Sequence, residues 1–225
     1  MIAVINQFNG LGDIIFVCSI AEHYSLCGYK VIFPVNSKYL NLKKHFNKFE
    51  MVDMERFNLC DLSNRVCNNP DILYLPLRFS SDCTDQSMTM VNKYSMVKLN
   101  HKNWTNFNWQ RDRQTEKKLY YDILQLQENE QYNIVNKNRS NKEFKFDVDN
   151  GLRNIYLKEY ENVTLLDWAC VVENAQNIHT VGTSLNYLIE LVELKKDCKY
   201  YIYNNEYDYS LYSKVIKKDH NRIHI

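Results

Sequence analysis

The first 35 residues constrain the fold more than any other part of the chain. An apolar run, Ile2-Ala3-Val4-Ile5, leads into Asn9-Gly10-Leu11-Gly12-Asp13. Over residues 13–27 the apolar side chains Ile14, Phe16, Val17, Ile20, Ala21 and Tyr24 recur every three or four positions, the period of a helix. Gly28 supplies a C-terminal stop, and residues 29–35 (YKVIFPV) form a second strand-like run. Strand, glycine turn, helix, glycine, strand is a βαβ unit, so the first two strands should be parallel.

The alternation returns after a polar, poorly periodic middle that carries a helical hint at residues 39–46. Residues 71–77 (DILYLPL) have the length and composition of a strand, and residues 88–99 are helix-like. Residues 101–112 show no period and read as a linker. A helix is expected over 116–126, then a strand over 131–137. Phe144, Phe146 and Val148 alternate with charges ahead of Asp149-Asn150-Gly151, which signals a hairpin or at least a tight turn. Residues 163–175 form an amphipathic helix, with Thr164 as N-cap and Asp167 three residues on. A short strand (177–182), a helix (183–194) and two further strands close the pattern. The expected fold class is α/β, with two Rossmann-like, doubly wound lobes, 1–110 and 111–225, and a cleft between them. Such sheets bind ligands outside the carboxyl ends of their strands.

Composition removes several classes. Of 225 residues, 45% are hydrophobic and 24% charged, the balance of a folded globular chain. The formal net charge of +1 gives no reason to expect a nucleic-acid partner or an anionic membrane patch. Seven cysteines without CxxC spacing favour a reduced, cytoplasmic setting and disfavour zinc. No secretory signal precedes the first strand, and no apolar run reaches the ~18–20 residues of a transmembrane segment. Oligomeric state is not legible.

The glycine turn admits three readings: a dinucleotide fingerprint, a sugar-transfer site, or an ordinary strand-to-helix corner. A fingerprint needs a third small residue, but Ile15 stands there, and the second strand ends near Pro34 and Asn36 rather than in an acid. No G-K-[ST] sequence occurs, so a Walker loop is excluded. Asp13 either complements free N–H groups at a helix start or presents a carboxylate at the carboxyl end of a strand.

The stretch NGLGDIIFVCSIAEHY resembles the N-terminal signature of GT-B glycosyltransferases of the heptosyltransferase type, in which Gly-Asp opens an apolar helix. TLLDWACVVENAQNIHTVGTSLNYLIELV is similar to the same family's donor-domain stretch. The resemblance covers roughly residues 2–35 and 131–195, about half of the chain. The resemblance implies that Asp13 is the catalytic base, with Asn9, Gly10 and Gly12 forming the acceptor-side loop. It also implies that Gly182, Thr183 and Ser184 hold a nucleoside diphosphate. Asn186 and Tyr187 stand where that family commonly carries a histidine. Free N–H groups and the helix dipole suit the second motif to a diphosphate, although a Thr183 cap explains it equally well.

Other residues carry open alternatives. Lys137 and Arg139 follow a strand and either assist the diphosphate or form a solvated loop. Arg111 and Arg113 suit phosphate but are more simply charges at a helix start. Asp147 and Asp149 form a D-x-D on an alternating strand, with both carboxylates on one face read as solvent-facing, so no metal is expected there. His179 reads as a packed core histidine, and Trp104 and Trp109 as packing rather than sugar platforms. The expected function is metal-independent transfer of a sugar from a nucleotide-sugar donor to a hydroxyl acceptor, a glycan or small molecule, with no cofactor. The alternatives are a non-catalytic GT-B-like module binding a nucleotide, glycan or protein partner, and a small nucleotide-binding regulator.

Overall fold

The computed structural model describes residues 1–7, 10–56, 69–77, 89–139, 142–204 and 213–225. It divides into two compact units, Met1–Gln110 and Arg111–Ile225. The polar stretch SSDCTDQSM (residues 80–88), expected to connect the 71–77 strand to the next helix, and the loop position Asn9 lie outside the described residues.

In the first unit, β1 (Ile2–Ile5), β2 (Lys30–Val35), β3 (Glu50–Asp53) and β4 (Ile72–Leu75) form a parallel sheet in the order β3-β2-β1-β4. The first strand is thus interior, as its unbroken apolar sequence requires. Pro34 lies beyond Ile32, the last β2 partner of β1, and stands in register with Val52 of β3. A 3₁₀-helix, Ser37–His45, follows β2, where the sequence hinted at a helix over 39–46.

Helix α1 (Leu11–Leu26) is buried continuously from Ile14 to Glu22, so its polar members need partners. The Ser19 hydroxyl meets Tyr94 Oη at 2.5 Å, and Tyr94 donates to the Phe16 carbonyl at 2.6 Å. Glu22 accepts from Asn108 N (2.6 Å) and Nδ2 (2.7 Å). The last pair corrects the linker expectation. Residues 101–110 pack onto α1, with Trp104 fully buried beside Phe16 and Gln110 N donating to the His45 carbonyl. Their lack of period reflects irregular backbone, not exposure. Helix α2 (Thr89–Met96) packs on α1 through Tyr94.

The second unit holds β5 (Tyr132–Asn136), β8 (Arg153–Tyr156), β9 (Asn177–Val181), β10 (Lys199–Asn204) and β11 (Asn221–His224). They form a parallel sheet in the order β11-β10-β9-β5-β8. The expected 116–126 helix begins earlier, as α3 (Arg113–Lys117), and widens into a π-helix over Lys118–Ile123. Leu124 N bonds Leu119 O, five residues back. Glu116, only 1% exposed, joins Arg111, which also pairs with Glu173, so the candidate phosphate arginines Arg111 and Arg113 serve ion pairs inside this unit.

Of the two expectations at Asp149-Asn150-Gly151, a hairpin or at least a tight turn, the second holds. Gly151 takes φ +77°, and β8 leaves it to run parallel to β5. The physical reason is an amide cluster: Asn133 on β5 bonds Asn150 and Asn154, each at 2.8 Å, and accepts from Asn177 at 2.8 Å. That cluster fastens the turn to the sheet. A short hairpin, β6 (Asn138–Arg139) with β7 (Lys142–Glu143), precedes it. On the opposite sheet face, α4 (Ala169–Asn174) receives a hydrogen bond from Tyr132 Oη at the Val171 carbonyl (2.7 Å). The capping box Thr164–Asp167 opens the short 3₁₀ turn that leads into α4. Helix α5 (Ser184–Leu191) connects β9 to β10.

Candidate functional site

Asp13 lies in the first turn of α1, just beyond the carboxyl end of β1. The residue that caps this helix is Gly10, and no side chain makes a cap hydrogen bond. The carboxylate turns instead to Lys93 on α2, with Nζ 3.3 Å from Asp13 Oδ1. The lysine side chain is 3% exposed, whereas that of Asp13 is 37% exposed. Lys93 Nζ also donates to Gln7 Oε1 (2.5 Å) and to the Leu77 carbonyl (2.8 Å). An ammonium has three donors, and each has an acceptor here. Burial lowers the Lys93 pKa, while Asp13 acts to raise it.

Gly10 completes this corner. Its φ of +79° is accessible chiefly to glycine, and a Cβ at this position would stand 2.5 Å from Asp13 Oδ2. The glycine thus leaves room for the second carboxylate oxygen. Gly10→Ala should cost more than about 1 kcal/mol in a urea melt, from backbone strain and displacement of that oxygen. A variant as stable as wild type would contradict this geometry. Gly12, in contrast, is an ordinary second residue of α1.

In the second unit Thr183 caps α5. Its hydroxyl accepts from Leu185 N (3.3 Å), and Asn186 Oδ1 accepts from Thr183 N (3.3 Å), a reciprocal capping box. Asn136, the last residue of β5, donates to Thr183 Oγ1 at 2.8 Å and to Thr180 Oγ1 at 3.2 Å. Gly182, Thr183 and Ser184 therefore sit at the carboxyl end of β9, held to that of β5. Lys137 follows Asn136; its ammonium lies 3.6 Å from Asp147 Oδ1 and over the Phe146 ring. Arg139 is carried on the β6 strand of the small hairpin rather than on an open loop. Among the described residues no group of three or more His, Cys, Asp or Glu is placed to hold a metal ion.

His179 on β9 is packed, with its ring stacked 4.7 Å from Tyr201 and Nδ1 3.0 Å from Tyr203 Oη. Burial lowers its pKa to about 4. The unfolded chain takes up this proton near pH ~6.5, whereas the native state resists until about pH 4. Stability from this group is therefore complete above pH ~6.5 and is lost progressively as the pH falls toward 4. His179→Gln should shrink the fall in melting temperature between pH 7.5 and pH 5.0; an unchanged fall would contradict the assignment. A concavity of about 550 Å³ lined by Tyr29, Lys30, Phe46, Lys48 and Glu50 opens at the amino ends of β2 and β3, the end away from Asp13.

Sequence reasoning did not find Lys93, Gln7 or Asn136. A signal existed for Lys93, which stands three residues after buried Met90 and beside buried Tyr94 on a short helix. For Asn136 it was a polar residue ending a fully buried strand.

The chain matches no protein-family model and no curated protein. Among solved structures it is similar to a glycosyl transferase family 9 protein from Veillonella parvula, with a TM-score of 0.57 and 7% identity, over 99% of this chain and 85% of that one. The E. coli heptosyltransferase WaaC with ADP aligns over 100% of this chain and 90% of its own, at 11% identity and a TM-score of 0.47. WaaC with ADP-2-deoxy-2-fluoro heptose aligns at 12% identity, also with a TM-score of 0.47, over 100% of this chain and 93% of that one. The fold is that of the GT-B glycosyltransferases. The family resemblance read from the glycine turn and the Gly182-Thr183-Ser184 stretch is matched at the level of fold.

Proposed function

We propose that this protein is a glycosyltransferase that moves a sugar from a nucleotide-activated donor to a hydroxyl acceptor. The observation that carries the reading is Asp13: a half-exposed carboxylate at the carboxyl end of an interior parallel strand, gripped from the inner side by a buried lysine. In the proposed step, Asp13 takes the proton from the acceptor hydroxyl as its oxygen attacks the anomeric carbon. The bond from that carbon to the diphosphate oxygen breaks, and the nucleoside diphosphate leaves with the electron pair. The start of α5 and Lys137 receive the leaving charge, so the scheme calls for no metal. A solved neighbour of the same fold is named a glycosyl transferase, which favours this class over a regulator.

A second reading, a non-catalytic binding module, draws on one specific observation. The Thr183–Asn186 capping box occupies the Thr183 and Leu185 amides that a diphosphate would use. Thermal melts of the wild-type chain with ADP, UDP, GDP and their sugar conjugates test the donor side that the transferase reading requires. One nucleotide should stabilise the protein by about 2.7 kcal/mol at 100 times its dissociation constant. No shift with any of them would contradict the nucleotide-binding account.

A further inference from the structure

We infer that Lys93 is a positioning residue that fixes Asp13 Oδ1 and thereby makes Oδ2 the proton-accepting atom. The inference rests on the glycosyltransferase reading above and assigns the parts of its base. Lys93 is anchored at three points. Gln7 and Leu77, following the carboxyl ends of β1 and β4, hold the ammonium on the inner side, and Asp13 meets it on the outer side. The helix that carries Lys93 is itself keyed to α1 by Tyr94, whose hydroxyl reaches Phe16 O and Ser19. Lysine and aspartate thus belong to two helices locked together by the residue next to Lys93, which reaches α1 at Phe16 and Ser19.

This arrangement gives the two carboxylate oxygens different surroundings. Oδ1 is taken by Lys93, whereas Oδ2 sits in the space beside Gly10 that a Cβ would fill. Oδ2, the oxygen that Lys93 does not hold on this partly exposed carboxylate, is left to meet an acceptor hydroxyl. Burying an ammonium is a poor way to gain stability, since an apolar residue of similar volume is often as good. A lysine placed here is better explained by what it does to the carboxylate than by its worth to the fold. A carboxylate held by one oxygen keeps its orientation between turnovers, and loss of orientation in a reacting group costs rate rather than ground-state binding.

The test is a double-mutant cycle on turnover, with release of nucleoside diphosphate from UDP-, GDP- and ADP-sugars as the readout and methyl glycosides as acceptors. Lys93→Met should lower kcat by about 10- to 100-fold and leave the donor KM within about twofold. In an Asp13→Asn background the same substitution should cost less than about twofold, because the group it positions is already disabled. Equal losses in both backgrounds, or a loss confined to KM, would overturn the inference while leaving the transferase reading intact. A wild-type chain inactive with every donor would overturn the transferase reading, and the inference with it. If Lys93→Met does not fold, Lys93→Gln, which can still donate to Leu77 O, carries the same cycle.

Discussion

Asp13→Asn should lower turnover by roughly 10²- to 10⁴-fold, the share general-base catalysis supplies, with nucleotide binding by the second unit unchanged. The substitution keeps the shape of the side chain and removes its capacity to take a proton. If Asp13 were simply a helix cap, the asparagine would also leave stability untouched, because the two residues cap equally well. The pair with Lys93 predicts otherwise. Asparagine still offers Oδ1 to the ammonium, but the opposite charge is gone, and a cation that is 3% exposed loses its counter-ion. Because Asp13 is itself partly solvated, the cost should be modest, about 1–2 kcal/mol. Turnover and melting temperature are measured on one preparation. Near-native turnover would remove the catalytic assignment, and an unchanged melting temperature would remove the ion pair.

The second large effect is expected at Ser184. It is the first residue of α5, next to the Thr183 cap and on the carboxyl side of β9. Ser184→Glu places a negative charge where the proposed diphosphate sits, so nucleotide affinity should fall by more than about 100-fold. Glutamate is well tolerated in the first turn of a helix, so the fold should survive. Isothermal titration with the nucleotide selected by the thermal melts measures the affinity, and a thermal melt of the variant without nucleotide checks the fold. Retained affinity would place the donor elsewhere.

The parts of this molecule that were legible in sequence are those written in local pattern. Ile2–Ile5, the glycine turn and the helix after it specify a βαβ unit through periodicity alone, and Asp13 stands out because a bare corner has no need of it. The Thr164–Asp167 and Thr183 caps were readable for the same reason, since their partners lie within three residues. What was not legible depends on partners far apart in the chain. Lys93 is 80 residues from Asp13, and Asn136 is 47 from Thr183. Nothing local reveals either contact. The Asp149-Asn150-Gly151 signal was correct about the turn and wrong about the hairpin, because the Asn133–Asn150–Asn154 cluster directs the next strand onto β5 in parallel. Residues 101–110 failed as a linker because burial there comes from Trp104, Phe107 and one bond pair to Glu22 rather than from any repeat.

The central claim is that this chain transfers a sugar from a nucleotide-activated donor, with Asp13 as the base. It is tested most directly by incubating the wild-type chain and Asp13→Asn with each nucleotide sugar and a mixture of hydroxyl acceptors, then following glycosylated product by mass spectrometry. The account predicts product from at least one donor with the wild type, and a yield lower by roughly 10²-fold or more with the variant. A donor that binds both proteins while neither forms product would contradict it and leave a binding module in its place.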